Sequence, residues 1–260
     1  MSEPIVGAIA RPQLPPERIR DVALAAEAAG LDELWLWEDC FWEGGISMAG
    51  AVLGMTSRVK VGVGLLPMPL RNVALAAMEI AALDRLFPGR FVVGLGHGVQ
   101  DWMGQAGARV ASPLTLAREY FAALRGLLAG DEVTTSGRYV GLDRVRLVWP
   151  PATPTALHMG ATGPNSLRLS GEIADGTILS GETLLDEVAR SCELVREGWG
   201  TRPGAPVITA FVPADLGAAG AAEQLDAWST AGADRVVFGP GEDEPDPEAF
   251  VARVAALRGG

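Results

Sequence analysis

Short apolar runs alternate with longer amphipathic stretches along the chain. The clearest unit covers residues 59–99: an apolar run containing Gly62 and Gly64, a turn broken by prolines, a helical repeat from Val73 to Leu86, and a second apolar run that ends at Gly96. This order predicts a strand, a helix and a second, parallel strand. Glycines at the carboxyl ends of parallel strands allow the backbone to approach a ligand closely, so we expect the functional site there.

The same alternation continues on both sides of this unit. The remaining pattern predicts strands at 5–10, 32–38, 155–159, 176–180, 207–212 and 235–238, and helices at 15–29, 45–56, 112–128, 164–172, 184–199, 221–231 and 246–257. We predict a loop from Asp101 to Ala111, and a β-hairpin from Val133 to Trp149 built around Gly141-Leu142-Asp143. Eight strands alternating with eight helices predict an α/β fold, an eight-stranded parallel (β/α) TIM barrel with a short hairpin insertion, as one domain over residues 1–260.

Composition and charge exclude several classes of protein. The chain has 260 residues, of which 48% are hydrophobic, and a formal net charge of −11. This charge argues against binding to nucleic acid or to an anionic membrane surface. The first residues lack the basic flank and apolar core of a signal peptide, so we expect a cytoplasmic protein. Two cysteines and two histidines at unrelated spacings predict neither a disulfide framework nor a metal site.

Three short motifs follow one another in an order that resembles a known family. GVGLLPMPLRN, LDRLFPGRF and GLGHGV resemble the bacterial luciferase-like flavin-dependent oxidoreductases, and most closely the branch that uses the deazaflavin coenzyme F420. The resemblance implies a TIM-barrel enzyme that transfers hydride between F420 and a small organic substrate. Two alternatives remain open: an FMN-dependent monooxygenase supplied by a separate flavin reductase, and a flavin-binding barrel without catalysis. The apolar pattern of Val73 to Leu86 would suit a homodimer interface.

Three residues at predicted strand ends are candidates for proton transfer. His97 lies between two glycines after the fourth strand, where an imidazole can donate or accept a proton near neutral pH. Glu38 and Asp39 follow the second strand, where burial in a largely apolar mouth would raise their pKa values. Simpler roles are also open: His97 could bond a neighbouring backbone group, and the two carboxylates could satisfy loop amides or cap the next helix.

The resemblance also contains departures. Asp39 and Trp42 resemble the acidic and aromatic residues of the branch, but Cys40 stands where a histidine is expected. Val99 stands where some dehydrogenases of the branch carry a glutamate. Cys40 argues against a mechanism that needs an imidazole at this strand, and Val99 argues against the sugar-phosphate dehydrogenase chemistry of those relatives.

The cofactor-binding residues are implied mainly by the resemblance. Gly64-Leu65-Leu66 resembles a glycine bulge that backs the flavin ring, with a cis peptide bond expected between Gly64 and Leu65. A loop of small residues opening a helix resembles the phosphate loop, because free N–H groups at a helix start attract anions. The candidates are Gly64, Leu65, Leu66, Gly96, His97, Gly98, Gly160, Ala161, Thr162, Gly163 and Pro164. Arg71 and Arg168 are basic residues that could reach the acidic tail of the cofactor. His158 and Asp175 are interpreted as structural, although a ligand contact stays open for His158.

Overall fold

A computed structural model describes residues 3–180, 183–214, 220–241 and 244–259. Its strands are β1 (Ile5–Ala10), β2 (Glu33–Leu36), β3 (Lys60–Pro67), β4 (Phe91–Gly96), β5 (Val133–Ser136), β6 (Gly141–Val145), β7 (Leu157–Gly160), β8 (Gly176–Leu179), β9 (Val207–Pro213) and β10 (Arg235–Gly239). All but β5 and β6 close into a parallel barrel in the order β1-β10-β9-β8-β7-β4-β3-β2. The predicted eight-stranded barrel is therefore confirmed.

Helices alternate with the barrel strands. They are α1 (Ile19–Ala29), α2 (Gly45–Met55), α3 (Val73–Leu86), α4 (Gln100–Gln105), α5 (Pro113–Ala129), α6 (Pro164–Ile173), α7 (Leu185–Trp199), α8 (Gly220–Ala231) and α9 (Pro247–Ala255). Local signals set several of their ends. Asn72 caps α3 by accepting a hydrogen bond from the Ala74 amide at 2.9 Å, and α1 ends at Gly30, whose φ of 73° favours glycine. None of the described helices is long and apolar enough to cross a bilayer.

Two local predictions need correction. The segment from Asp101 to Ala111 is predicted as a loop, but its first residues belong to the short helix α4. The Met103 side chain of this helix is fully buried and packs against Gly98, which leaves no room for a Cβ there. The hairpin exists, but its turn lies before Gly141. The Gly137 amide donates to the Val140 carbonyl at 2.8 Å, and β6 begins at Gly141. The glycine and aspartate that indicated a turn therefore lie within a strand.

An apolar layer fills the middle of the barrel. Trp35, Phe211, Ile9, Ile178 and Val237 point inward from five strands and form one buried cluster. The rings of Trp35 and Phe211 meet edge to face, with centroids 5.3 Å apart. The side chains that alternate with them along the strands pack outward against the helices in a larger cluster. The inner layer separates a polar floor at the strand starts from an open mouth at the strand ends.

Charged groups are buried in the floor. The Glu33 carboxylate accepts a hydrogen bond from the Trp35 indole at 2.9 Å and pairs with Arg235, whose Nε lies 2.6 Å from Oε2. His158, in the second position of β7, is also buried. Burial, and then the positive charge of Arg235, lower its pKa to about 4, although Asp175 acts in the opposite direction. His158, for which the sequence analysis left a ligand contact open, therefore lies in the floor. The apolar layer separates it from the mouth.

Candidate active site at the mouth of the barrel

A bulge interrupts β3 at the mouth. Val63 pairs with Val93, but the next pair is Leu66 with Leu95, so β3 carries one extra residue. The peptide bond between Gly64 and Leu65 is cis, as the sequence predicts. A second cis bond, between Cys40 and Phe41, was not predicted.

The glycines around the bulge make close contacts within the protein. A Cβ on Gly160 would lie 2.2 Å from Cδ1 of Leu65, and one on Gly96 would lie 2.6 Å from the same atom. A Cβ on Gly64 would lie 2.6 Å from the Phe211 ring. These glycines therefore make room for the Leu65 and Phe211 side chains. Those two side chains form an apolar surface beneath the mouth, and a ligand there would contact them as well as the backbone.

Three buried polar atoms that follow strand ends have no hydrogen-bond partner among the described residues. They are Nε of Arg11 after β1, Nε1 of Trp37 after β2 and Oγ of Ser180 after β8. The Arg11 guanidinium lies 5.8 Å from the Trp37 ring centroid, and the Trp37 and Phe211 centroids are 6.2 Å apart. A buried donor or acceptor without a partner costs about 1 to 3 kcal/mol. A ligand that supplied partners to these atoms would recover that free energy.

His97 follows β4 and is half buried. Its Nδ1 lies 3.0 Å from the Gly98 carbonyl oxygen, the neighbouring backbone contact that the sequence left open. In the neutral tautomer that donates this bond, Nδ1 carries the proton and Nε2 keeps its lone pair. The same contact therefore orients the ring and leaves one nitrogen able to accept a proton.

Glu38 is held by an ion pair and by a helix start. Its two oxygens accept hydrogen bonds from Arg71 at 2.5 and 3.1 Å, and Oε2 also accepts from the Gly45 amide at 2.7 Å. Nε of Arg71 donates to Glu79 at 2.9 Å. This geometry matches the simpler role predicted for Glu38, since it caps α2 and ties the β2 loop to the turn after β3. Arg71, an expected contact for the cofactor tail, is already paired with two carboxylates.

Asp39 lies beside this network without joining it. Burial raises the pKa of its carboxyl group, and the positive charge of Arg11 partly opposes the increase. The Asp39 carbonyl accepts a hydrogen bond from the Trp42 amide at 3.0 Å, which forms a tight turn. Cys40, within that turn, is half buried, and burial and the nearby Glu38 and Asp39 charges raise its thiol pKa. Of the two carboxylates Glu38 and Asp39, Asp39 is thus the one that a ligand at the mouth could contact.

The predicted phosphate loop lies between β7 and α6. The hydroxyl of Ser166 accepts hydrogen bonds from the Thr162 and Gly163 amides at 3.3 and 3.1 Å. Pro164 occupies the first helical position and has no N–H group. The loop therefore offers an anion fewer amides than the sequence predicts: those of Asn165 and Ser166 in the first turn, beside the exposed Thr162 hydroxyl.

Two other predictions concern charged groups. Nε of Arg168, the second expected contact for the cofactor tail, donates to Glu197 at 2.8 Å on the outer surface. Asp175 accepts hydrogen bonds from the Leu157 amide and Arg125, so its structural role is confirmed. Within the described residues, no group of three or more His, Cys, Asp and Glu side chains could hold a metal ion.

The sequence matches the luciferase-like monooxygenase family over residues 4–254. The chain belongs to this family. The match covers almost the whole barrel, including every strand end described above.

Two curated proteins with similar sequences are named as a reductase and as an F420-dependent dehydrogenase. A 5,10-methylenetetrahydromethanopterin reductase of Methanolobus tindarius is 34% identical over 170 residues, which cover 65% of this chain and 52% of the relative. An F420-dependent glucose-6-phosphate dehydrogenase of Nakamurella multipartita is 32% identical over 178 residues, with 64% and 52% covered. The chain thus spans about half the length of the curated relatives it matches.

A solved structure shares the whole fold. The coenzyme F420-dependent tetrahydromethanopterin reductase of Methanopyrus kandleri superposes with a TM-score of 0.85 at 18% identity, covering 98% of each chain. At this identity the similarity establishes the luciferase-like barrel alone.

Sequence reasoning missed Arg11 and Ser180 as residues of the mouth. Both directly follow a barrel strand, and the residue after a strand end is where TIM barrels place functional side chains. That position was the signal that could have found them. Phe211 could not be found in this way, because its contact with Gly64 joins two strands that lie far apart in the chain.

Proposed function

We propose that this luciferase-like protein is an oxidoreductase that transfers hydride between coenzyme F420 and a small organic substrate. The observation that carries the proposal is a set of buried polar atoms at the strand ends, among them Trp37 Nε1 and Ser180 Oγ, that lack partners within the described part of the chain, together with the apolar surface of Leu65 and Phe211. A deazaflavin ring has a flat apolar body and a polar edge of carbonyl and N–H groups. It would cover the apolar surface and supply partners to the polar atoms. The F420-dependent relatives support the same cofactor.

When bound, the cofactor supplies the hydride chemistry, and the protein supplies orientation and proton transfer. Leu65 and the Gly64 bulge would support the ring from below. The loop from Gly160 to Pro164, together with the Asn165 and Ser166 amides, would hold the cofactor phosphate. His97 Nε2 would accept or donate the proton that accompanies hydride transfer, because Nδ1 is fixed on the Gly98 carbonyl.

We propose different roles for the two carboxylates. Asp39, whose pKa burial raises, is the second candidate for proton transfer. Glu38 would act through Arg71, holding the β2 loop and the β3 turn in position at the edge of the mouth. A positioning role fits Glu38 because protonating it would break two hydrogen-bonded contacts with a half-buried guanidinium.

A specific observation also supports a homodimer. Leu75, Met78 and Leu86 are large apolar side chains of α3 that are exposed by 45, 55 and 70%. Leu70 before the helix and Trp42 from the β2 loop line the same surface depression as Leu75, and we call these five apolar side chains the α3 face. Exposed apolar surface of this kind is typical of protein interfaces. We infer that a second copy of the chain covers it.

Equilibrium titration with F420 and with FMN, side by side, tests the cofactor. We expect F420 to bind at least about 10-fold more tightly, a difference of about 1.4 kcal/mol. FMN binding of equal or greater strength would favour the alternative, an FMN-dependent monooxygenase fed by a partner reductase. Tight F420 binding without turnover of any substrate tested would favour the other alternative, a flavin-binding barrel without catalysis.

A further inference from the structure

Arg11 and Arg71 are two cations at the mouth, and their surroundings differ. Arg71 is tied to Glu38 and Glu79 by hydrogen bonds of 2.5 to 3.1 Å. Arg11 makes no such ion pair with the part of the chain that the structure describes, and its buried Nε has no hydrogen-bond partner there. A buried guanidinium N–H without an acceptor costs free energy, and the group presents donors suited to a carboxylate.

The surroundings of Arg11 fix its position. Arg11 follows Ala10, which pairs with Leu36 of β2, so Arg11 and Trp37 leave neighbouring strands side by side. The guanidinium carbon lies 5.8 Å from the Trp37 ring centroid, which is within cation–π distance. Burial raises the pKa of Asp39 and the nearby Arg11 charge partly opposes this increase, yet the two side chains make no ion pair. The guanidinium therefore lies over the Trp37 ring, and its Nε donor is unused within the described residues.

We propose that Arg11 binds an anionic group of the substrate, which makes the substrate a small organic acid. Its carboxylate would receive hydrogen bonds from Arg11, and its apolar part would lie against the Trp37 ring beside it. Negative charge on Asp39 would repel such a substrate elsewhere at the mouth, so Arg11 would also fix its orientation. This inference rests on the proposed function, since it assigns the substrate of that same site.

Benzoate and its neutral analogue benzamide test the charge requirement directly. Binding of each is measured by calorimetry on the full chain, with and without F420. We expect benzoate to bind at least about 10-fold more tightly than benzamide, since hydrogen bonds to charged groups exceed neutral ones by that order. Arg11→Gln should abolish the preference and Arg11→Lys should keep part of it. Arg20→Gln, on the exposed surface of α1, is the matched control and should change nothing.

Several results would overturn the inference. Equal binding of benzoate and benzamide to the unaltered protein would do so without any variant, even if Arg11→Gln failed to fold. A preference that survives in folded Arg11→Gln would place the anion site elsewhere. If Arg11→Gln weakened F420 binding about 10-fold but left the benzoate preference intact, Arg11 would serve the cofactor. F420 binding separates the two proposals: normal F420 binding without a benzoate preference refutes only this inference, whereas a preference without F420 binding refutes the proposed function.

Discussion

Lowering the pH should destabilise the protein through His158. The side chain is 4% exposed, and its pKa is lowered from 6.5 to about 4, first by burial and then by the Arg235 charge. The folded protein therefore keeps this histidine neutral at a pH where the unfolded chain already binds a proton. Stability is unaffected above about pH 6.5, falls as the pH decreases toward 4, and levels off below that value.

The two pKa values set the size of the effect. A shift from 6.5 to about 4 corresponds to roughly 3 kcal/mol in total, at about 1.36 kcal/mol for each pKa unit. Between about pH 7.5 and about pH 5 the loss is about 2 kcal/mol. For a chain of this size that loss lowers the melting temperature by roughly 4 to 8 °C.

Carboxylates titrate in the same range, so the test compares variants. Thermal unfolding is followed across this pH range for the unaltered protein and for His158→Gln, which has no titrating group at the position. The chain contains two histidines, and His97→Gln, in the mouth loop, is the matched control. We expect His158→Gln to lose stability less steeply on acidification than the other two proteins. Parallel curves for all three would show that His158 takes up protons equally in the folded and unfolded states, which would refute the reasoning.

Three further predictions concern the mouth and the α3 face. Gly163 has φ −86° and ψ 158°, and a Cβ there would meet only Ser166 Oγ at 3.9 Å, so the Gly163→Val variant should fold normally. Its F420 binding should weaken about 10-fold or more, because the added side chain would block the backbone approach of the phosphate. Unchanged F420 affinity would place the phosphate elsewhere. His97→Ala should lower turnover about 10² to 10⁴-fold with F420 affinity retained, and near-native turnover at every pH would make His97 a loop residue. Met78→Glu should convert the dimer to a monomer in sedimentation equilibrium, and a persistent dimer would place the interface elsewhere.

The sequence predicted the barrel because its signals are local. Barrel strands are buried on both faces, so they read as continuous apolar runs such as Phe91 to Leu95, and glycine or proline marks their ends. The helix α4 was missed because it is short, contains Gly104 and is followed by Gly107, and these glycines indicate a loop. Residues 141–143 predicted a turn for the same reason, although pairing with β5 extends them into a strand. Tertiary contacts decided both cases.

The site was predicted less completely, because its contacts join distant parts of the chain. The glycines of the mouth were correctly placed at strand ends, but Leu65 and Phe211 occupy the space beside them. Glu38 and Arg71 are 33 residues apart, and neither neighbourhood in the sequence indicates that they pair. Sequence patterns identify which residues reach the mouth. They do not tell which of those residues are already engaged with one another.

That distinction separates the charges of the mouth into two groups. Glu38 and Arg71 neutralise each other at the rim, whereas Asp39 and Arg11 face the mouth without an ion pair between them. A carboxylate whose pKa is raised and a guanidinium with free donors are suited to different tasks: the first to exchange a proton, the second to hold an anion. If a substrate carboxylate pairs with Arg11, it weakens the positive charge that opposes the raised pKa of Asp39. Substrate binding would then raise that pKa further, and Asp39 would hold its proton more strongly once the substrate is in place.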